Sequence, residues 1–131
     1  MKAEERSPII CAGPIMGKPR MTQRDKWAKR PTVMRYYEFK SRLKSYFSGH
    51  MQDLVGAREL SWVAYIGMPY SWSLKKKKEM AGKPHLSKPD RDNIDKAILD
   101  SLFEDDSRIW RGSMEKRWDD FGGERLEIKI S

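Results

Sequence analysis

Two aspartates separated by one residue, Asp90 and Asp92, lie where a proline-containing segment gives way to a helical pattern. Side chains two residues apart share a face in extended chain but not in a helix, so both carboxylates can meet one cation only where the helix begins. Pro89 favours such a beginning, and the partial positive charge of a helix N-terminus tolerates acids without any metal. The pair is therefore open to two interpretations, helix capping and metal binding.

A second group of acids, Glu104, Asp105 and Asp106, follows one helix length later. Acids at a helix C-terminus oppose the macrodipole and repel one another, which is unfavourable unless a turn or a cation needs them. Hard cations such as Mg²⁺ take carboxylate, water and phosphate oxygens as ligands. The two acidic groups supply that chemistry, although a solvated turn explains the second group equally well.

The remaining polar residues of this region have simpler interpretations. Lys96 lies four residues after Asp92, so it can form an ion pair along the helix worth about a few tenths of a kcal/mol, or it can bind a phosphate. Asp95 and Asp100 fall on other sides of the helix and are expected to be solvated. No zinc-ligand spacing and no glycine-rich phosphate loop is present in the sequence.

Charge and length limit the class of protein. The 131 residues suit one domain, and 27 Lys and Arg against 19 Asp and Glu give a net charge of +8. Such a field attracts polyanions and makes nucleic acid the first partner to test. Basic surface that holds DNA, combined with acids that hold a metal, is the layout expected for phosphodiester hydrolysis.

Other features argue against export and against other nucleophiles. The longest apolar runs are too short to span a membrane, and the acidic, mixed N-terminus does not look like a signal peptide. A lone cysteine, Cys11, predicts a reducing compartment, and we expect the cytoplasm. Cys11 is expected to lie in the core, and the isolated His50 and His85 are expected to be solvated.

Hydrophobic periodicity predicts the first elements. Residues 1–6 look like a tail, and the apolar run from Pro8 to Gly13 predicts a strand. The basic, proline-containing segment 17–31 predicts an extended loop. From Thr32, a candidate cap, apolar residues recur at helical spacing until Ser48.

Hydrophobic periodicity also predicts the elements in the second half of the chain. Residues 59–67 predict a central strand, and the basic loop 70–89 contains a short helix that begins at Ser73. Residues 92–103 predict the second main helix, and residues 108–118 and 125–130 predict two strands joined as a hairpin. The order β-α-β-(short α)-α-β-β predicts one two-layer α+β domain over residues 1–131, with a mixed sheet of about four strands packed with two main helices.

The string KPDRDNIDKAILDSLFEDDSRI, residues 88–109, resembles the signature of the RusA family of Holliday junction resolvases of bacteria and their phages. The shared features are an Asp-x-Asp-Asn pair, a Lys four residues after the second Asp, an apolar helix, and Asp-Asp before a strand. The chain departs from that signature at Ser101, where a small Ala is usual, and in its short connection between helix and acids. GKPRMTQRD resembles the family's basic N-terminal loop, and SWSLKKKKEMAGKPH resembles an insertion common in phage-type members.

The resemblance implies a homodimer that makes paired cuts in four-way or branched DNA with Mg²⁺, or with Mn²⁺ as an alternative, in recombination and repair. By motif position, Asp90, Asp92 and Asp106 correspond to the metal-binding carboxylates and Lys96 to a functionally important lysine. Asp105 ranks second to Asp106, because adjacent residues at the start of a strand point in opposite directions.

The basic loops then become candidate arms that hold DNA by its phosphates. The candidate contacts are Lys18, Arg20, Arg24, Lys26, Lys75, Lys76, Lys77 and Lys78. Trp27 and Trp72 either stack on exposed bases, or pack locally or at a dimer interface. Two other functions stay open: a non-catalytic protein that binds DNA junctions, and a small basic nucleic-acid-binding protein whose acids only cap helices.

Overall fold

A computed structural model describes residues 7–20 and 30–131 of the chain. The elements are β1 (Ile9–Ala12), α1 (Pro31–Tyr46), a short 3₁₀ turn (Ser48–His50), α2 (Met51–Gly56), β2 (Leu60–Ile66), α3 (Leu74–Met80), α4 (Arg91–Leu102), β3 (Met114–Trp118) and β4 (Arg125–Ile130). The four strands form one mixed sheet, which confirms the predicted α+β class. The predicted tail 1–6, and residues 21–29 of the predicted basic loop, lie outside the described residues.

One face of the sheet carries the core. Along β2, the alternating residues Leu60, Trp62, Ala64 and Ile66 are buried, whereas the residues between them are half-buried. The buried face packs against α1 and α4 in a single hydrophobic cluster. The domain therefore has two layers, with both main helices on the same side of the sheet.

The predicted hairpin at the end of the chain is wrong. The strand order is β1-β4-β2-β3, so β2 separates the last two strands, and β3 runs parallel to β2. Parallel neighbours need a crossover connection, which α3 and α4 provide between β2 and β3. β3 thereby takes one side of β2, and β4 pairs antiparallel with β2 on the other side.

The third strand also begins later than predicted, at Met114 rather than Arg108. The chain before it already follows β2, since the N–H of Leu60 donates to the carbonyl of Arg111 at 3.1 Å. At Gly112, φ is +157°, and a Cβ would lie only 1.6 Å from the carbonyl oxygen of Leu60. Only glycine permits this close backbone approach.

The first main helix buries Val33, Tyr36, Phe39 and Leu43, as their spacing predicts. Tyr37 and Tyr46, which the same spacing includes, are exposed. The start of this helix differs from the prediction. Arg30 is the N-cap residue and Pro31 the first helical residue, where the fixed φ of proline and its missing N–H are well tolerated. Thr32 is therefore inside the helix and is not the cap.

The helix α4 buries Ile94, Ala97, Ile98 and Ser101, as its spacing predicts. Ser101, at the position where the family signature has a small Ala, donates its hydroxyl hydrogen to the carbonyl of Ala97 at 2.6 Å. This bond satisfies the buried hydroxyl without a further partner. In the ranges 7–20 and 30–131, no helix is both long and apolar enough to cross a membrane.

Candidate metal and DNA-binding site

Asp90 is the N-cap residue of α4, in extended conformation at φ −69° and ψ 148°. Its carbonyl accepts the N–H groups of Asn93 and Ile94, both at 3.1 Å, but its side chain makes no capping hydrogen bond. The carboxylate is exposed and has no hydrogen-bond or ion-pair partner among the described residues. Helix capping by the Asp90 carboxylate therefore does not explain this residue.

Asp92 lies in the first turn of α4, beside Asp90. Lys96 forms an ion pair with it at 3.8 Å, but the Asp92 side chain is 68% exposed and the Lys96 side chain 61% exposed. A pair so exposed contributes little to stability, about 0–1 kcal/mol. Both side chains can therefore exchange this contact for a ligand at small cost.

The second acidic group lies beyond the other end of α4. Asp105 accepts a hydrogen bond from the backbone N–H of Ser107 at 3.0 Å. Hydrogen bonding by the Ser107 side chain, together with this backbone bond, lowers the pKa of Asp105. Glu104 and Asp105 line a cleft of about 830 Å³ beside the C-terminal end of α1, with Lys44 and Met51. Asp105 thus stabilises its own turn, whereas the exposed Asp106 carboxylate has no partner among the described residues.

Asp90 and Asp92 both lie at the start of α4, whereas Asp106 lies beyond the end of that helix. Ten residues of α4, 93–102, lie between the two groups, a length of about 15 Å at 1.5 Å per residue. Within residues 7–20 and 30–131, no three His, Cys, Asp or Glu side chains lie close enough to hold one metal ion. Only Phe103 and Glu104 separate α4 from Asp105. The acidic group therefore lies close to the C-terminal end of the helix.

The donor chemistry of the Asp90–Asp92 pair nevertheless fits a hard cation. Mg²⁺ commonly binds through one or two carboxylates, keeps several waters and takes substrate phosphate oxygens as further ligands. Two exposed neighbouring carboxylates at the positive end of a helix dipole, one of them without a partner, meet the first part of that requirement. Lys88 lies two residues before Asp90 and Arg91 one residue after it, and both are exposed as well.

The loop after β1 lies directly against α4. The N–H of Lys18 donates to the carbonyl of Asn93 at 3.0 Å. A Cβ at Gly17 would come within 2.9 Å of the Asn93 Cβ, so glycine permits this approach. The basic loop therefore begins beside the first turn that carries Asp92, while Arg24, Lys26 and Trp27 lie outside the described residues.

Asp100, expected to be solvated, is instead the centre of a polar network. Tyr36 donates its hydroxyl hydrogen to Asp100 at 2.6 Å, and the ammonium groups of Lys40 and Lys18 lie 3.3 and 3.8 Å from the carboxylate. Partial burial acts to raise the pKa of Asp100, but the Tyr36 bond and the two lysines outweigh it and lower the pKa. Lys18, predicted to contact DNA, is thus partly engaged within the chain.

Asp95 was likewise expected to be solvated, and it accepts a hydrogen bond from the indole N–H of Trp62 at 2.9 Å. Trp62 belongs to β2 and is buried, so its polar atom needs a partner. Asp95 therefore ties α4 to the sheet.

The lysine-rich helix α3 begins as predicted at Ser73, whose hydroxyl accepts the N–H of Lys76 at 3.1 Å. Trp72 packs against Trp118 with ring centroids 4.7 Å apart, and the ammonium of Lys76 lies 4.3 Å from the Trp72 ring centroid. Of the interpretations of Trp72, local packing is the one observed. Lys75 and Lys78 are exposed, as expected of phosphate contacts.

His85 was expected to be solvated, but it is only 4% exposed. Its ring packs edge-on against Trp118 at 4.4 Å, and burial together with the charge of Lys116 lowers its pKa. His50 is half-buried and lies 3.4 Å from Asp53. Cys11 is buried as predicted, and burial, partly opposed by the charge of Arg42, raises its pKa to about 11.

Sequence reasoning missed Lys116. Its ammonium donates to the backbone carbonyls of Ser87 at 2.6 Å and Pro89 at 2.9 Å, just before Asp90. The available signal was the alternation in β3, where Met114, Lys116 and Trp118 share a face. A lysine on the buried face of a strand needs partners for its charge.

Carboxylates can hold a catalytic metal ion, and cationic segments can hold a nucleic-acid backbone. The family model for the RusA endodeoxyribonucleases matches residues 13–131, nearly the whole chain. The chain therefore belongs to the RusA endodeoxyribonuclease family, which confirms the resemblance seen in the sequence. No curated protein and no solved structure matches the chain.

Proposed function

We propose that this protein is a Holliday junction resolvase, a Mg²⁺-dependent, structure-selective endonuclease that hydrolyses phosphodiesters of four-way or branched DNA in recombination and repair. The observation that carries the proposal is the Asp90 carboxylate, which makes no capping hydrogen bond and lies near Asp92 in the sequence at the start of α4. The chain that carries it belongs to the RusA endodeoxyribonuclease family. Mn²⁺, which accepts the same oxygen ligands, is the alternative metal.

The separation of the acids supports the homodimer in this proposal. Asp106 lies beyond the opposite end of α4 from Asp90 and Asp92, so one chain does not bring all three to one ion. A two-fold axis places the same surface of both chains in contact. In a dimer that sets the two α4 helices antiparallel, Asp106 of each chain would complete the pair of the other.

The roles of the side chains follow from their surroundings. Asp90 and Asp92 would hold the metal, which when bound supplies Lewis acidity to the scissile phosphate. Lys96 can leave its weak pair with Asp92 to bind a phosphate or leaving-group oxygen, since both partners are exposed. The partial positive charge of the α4 N-terminus favours the same anion.

The exposed cations would hold the DNA. Arg20, Lys75 and Lys78 are exposed and lie on segments that precede α4 in the chain, so they can contact phosphates without breaking an internal pair. Contacts of this kind release counterions and weaken steeply with salt, but they read no sequence. The protein would accordingly recognise its DNA substrate by the shape of the branch.

The test is cutting of a synthetic four-way junction by the wild type, by Asp92→Asn and by Glu38→Gln, an exposed acid of α1 as control. With Mg²⁺, the wild type and Glu38→Gln should cut, and Asp92→Asn should lose roughly two or more factors of ten in rate. Binding measured without metal should persist in all three. A wild type that binds junctions but cuts them with neither Mg²⁺ nor Mn²⁺ would instead be the non-catalytic junction-binding protein.

A further inference from the structure

Lys116 lies in the middle of β3 on the sheet face that the helices cover. It pairs with Ala64 of β2, and its strand neighbours on the same face are Met114 and Trp118. Lysine seldom occupies such a position unless its ammonium group is paired. The contacts of this ammonium group therefore indicate why the residue is there.

Both of its hydrogen bonds go to the segment that leads into α4. The Nζ atom donates to the carbonyl of Ser87 at 2.6 Å and to that of Pro89 at 2.9 Å. Among the described residues, no carboxylate lies within ion-pair distance of this ammonium. Hydrogen bonds from a charged donor are roughly twice as strong as neutral ones, so the two bonds form a firm anchor.

Few other hydrogen bonds hold this segment. Between His85, whose N–H donates to the carbonyl of Lys116, and Asp90, whose carbonyl accepts the first helical N–H groups, the described backbone makes no other hydrogen bond. Leu86 is 88% exposed and contributes little packing. Gly17 also packs against Pro89, since a Cβ at Gly17 would lie 3.4 Å from the Pro89 Cβ, but the hydrogen bonds that hold the chain before Asp90 come from one side chain of β3.

The second bond bears directly on Asp90. The carbonyl of Pro89 and the N–H of Asp90 belong to the same planar peptide group. Fixing that carbonyl on the sheet therefore fixes the plane from which the Asp90 side chain projects. Removal of the anchor would leave α4 in place through its buried residues but would free the carboxylate at its start.

We propose that Lys116 is a positioning residue that holds the Asp90–Asp92 pair in its metal-binding arrangement. The inference rests on the proposed function, because it concerns the same site. Residues that orient metal ligands typically change metal affinity or activity by about 10–100-fold when they are removed. A lysine that served only the stability of the sheet would not change metal dependence.

The test compares Lys116→Met with Lys129→Met, an exposed lysine of β4 whose loss removes the same charge. The first measurement is the Mg²⁺ concentration that gives half-maximal cutting of a four-way junction. The second is amide hydrogen exchange of the metal-free proteins at Asn93 and Ile94, which donate to the Asp90 carbonyl. The β2–β4 ladder, remote from Ser87 and Pro89 in the sequence, is the internal control.

For Lys116→Met, we expect the half-maximal Mg²⁺ concentration to rise by about tenfold or more, with most of the rate recovered at saturating Mg²⁺. Exchange at Asn93 and Ile94 should accelerate while the β2–β4 ladder stays protected. Metal dependence and exchange equal to those of Lys129→Met would overturn the proposal, as would faster exchange spread evenly over the whole domain.

If Lys116→Met does not fold, Lys116→Gln, which keeps one neutral donor, decides the matter by the same two measurements and criteria. Failure of the proposed function is distinguishable, since the wild type itself would then not cut. In that case the exchange measurement alone tests whether Lys116 holds the start of α4.

Discussion

Mixing two inactive variants, Asp92→Asn and Asp106→Asn, should restore cutting. Carboxylate oxygens that share one Mg²⁺ lie at most about 4 Å apart, because each is about 2 Å from the ion. Ten residues of α4, 93–102, separate these two aspartates in one chain, a span of about 15 Å. If Asp106 acts on the partner chain, the two substitutions in a mixed dimer fall on the same site and leave the other site intact.

The expected recovery follows from counting sites. Random exchange of subunits makes about half of the dimers mixed, and each mixed dimer has one complete site of two, so the mixture should regain about a quarter of the wild-type nicking rate. Paired cutting should stay lost, because it needs both sites of one dimer. Each variant alone should have no complete site.

The assay is strand nicking of an end-labelled four-way junction, read on denaturing gels, after the variants have been mixed and allowed to exchange. Differently tagged subunits report whether mixed dimers have formed. If mixed dimers form and nicking stays at the level of the separate variants, Asp106 does not act across the dimer and the reasoning from α4 is wrong. A mixture of wild type with Asp92→Asn calibrates the loss expected from one damaged site.

Three further predictions concern single side chains. Tyr36→Phe should lower the free energy of unfolding at pH 7 by about 1–2 kcal/mol, measured by urea titration. The substitution removes a 2.6 Å hydrogen bond to the Asp100 carboxylate, which is about a third exposed. A change near zero would contradict the stabilising role of this bond to Asp100. His85 has a lowered pKa in the fold, so below about pH 6.5 the unfolded chain binds the proton first and stability should fall as the pH drops. His85→Phe, which keeps an aromatic ring but cannot titrate, should show a smaller fall between pH 7 and 5, and parallel curves would refute the assignment. Asp105→Asn should retain most of the junction cutting that Asp106→Asn loses, since Asp105 serves its own turn; equal losses would place both in the site.

Local pattern was enough for much of the fold. The helical spacing of Val33, Tyr36, Phe39 and Leu43 gave the buried face of α1, and the alternation in residues 59–67 gave β2. These predictions succeeded because the periods of helix and strand are properties of the local backbone. The motif around Asp90 and Asp92 could also be recognised from the sequence, because it joins five chemically distinct positions at defined offsets.

Long-range pairing was not readable in this way. The turn after Trp118 suggested a hairpin, yet β2 lies between β3 and β4, because a strand that returns after helices can pair parallel with the strand before them. The contacts of Asp100 and Lys116 join segments more than 25 residues apart in the chain, and no local period encodes them.

The sequence by itself determined the two helices, the central strand, and the acids and lysines available for chemistry. Only the tertiary structure decided how these side chains meet: the chain does not fold back to bring Asp106 to Asp90 and Asp92, and Lys116 reaches from the sheet to the carbonyl of Pro89. The physical reason is that composition and period act within a segment, whereas distances between segments follow from how the sheet and helices pack to bury one shared core.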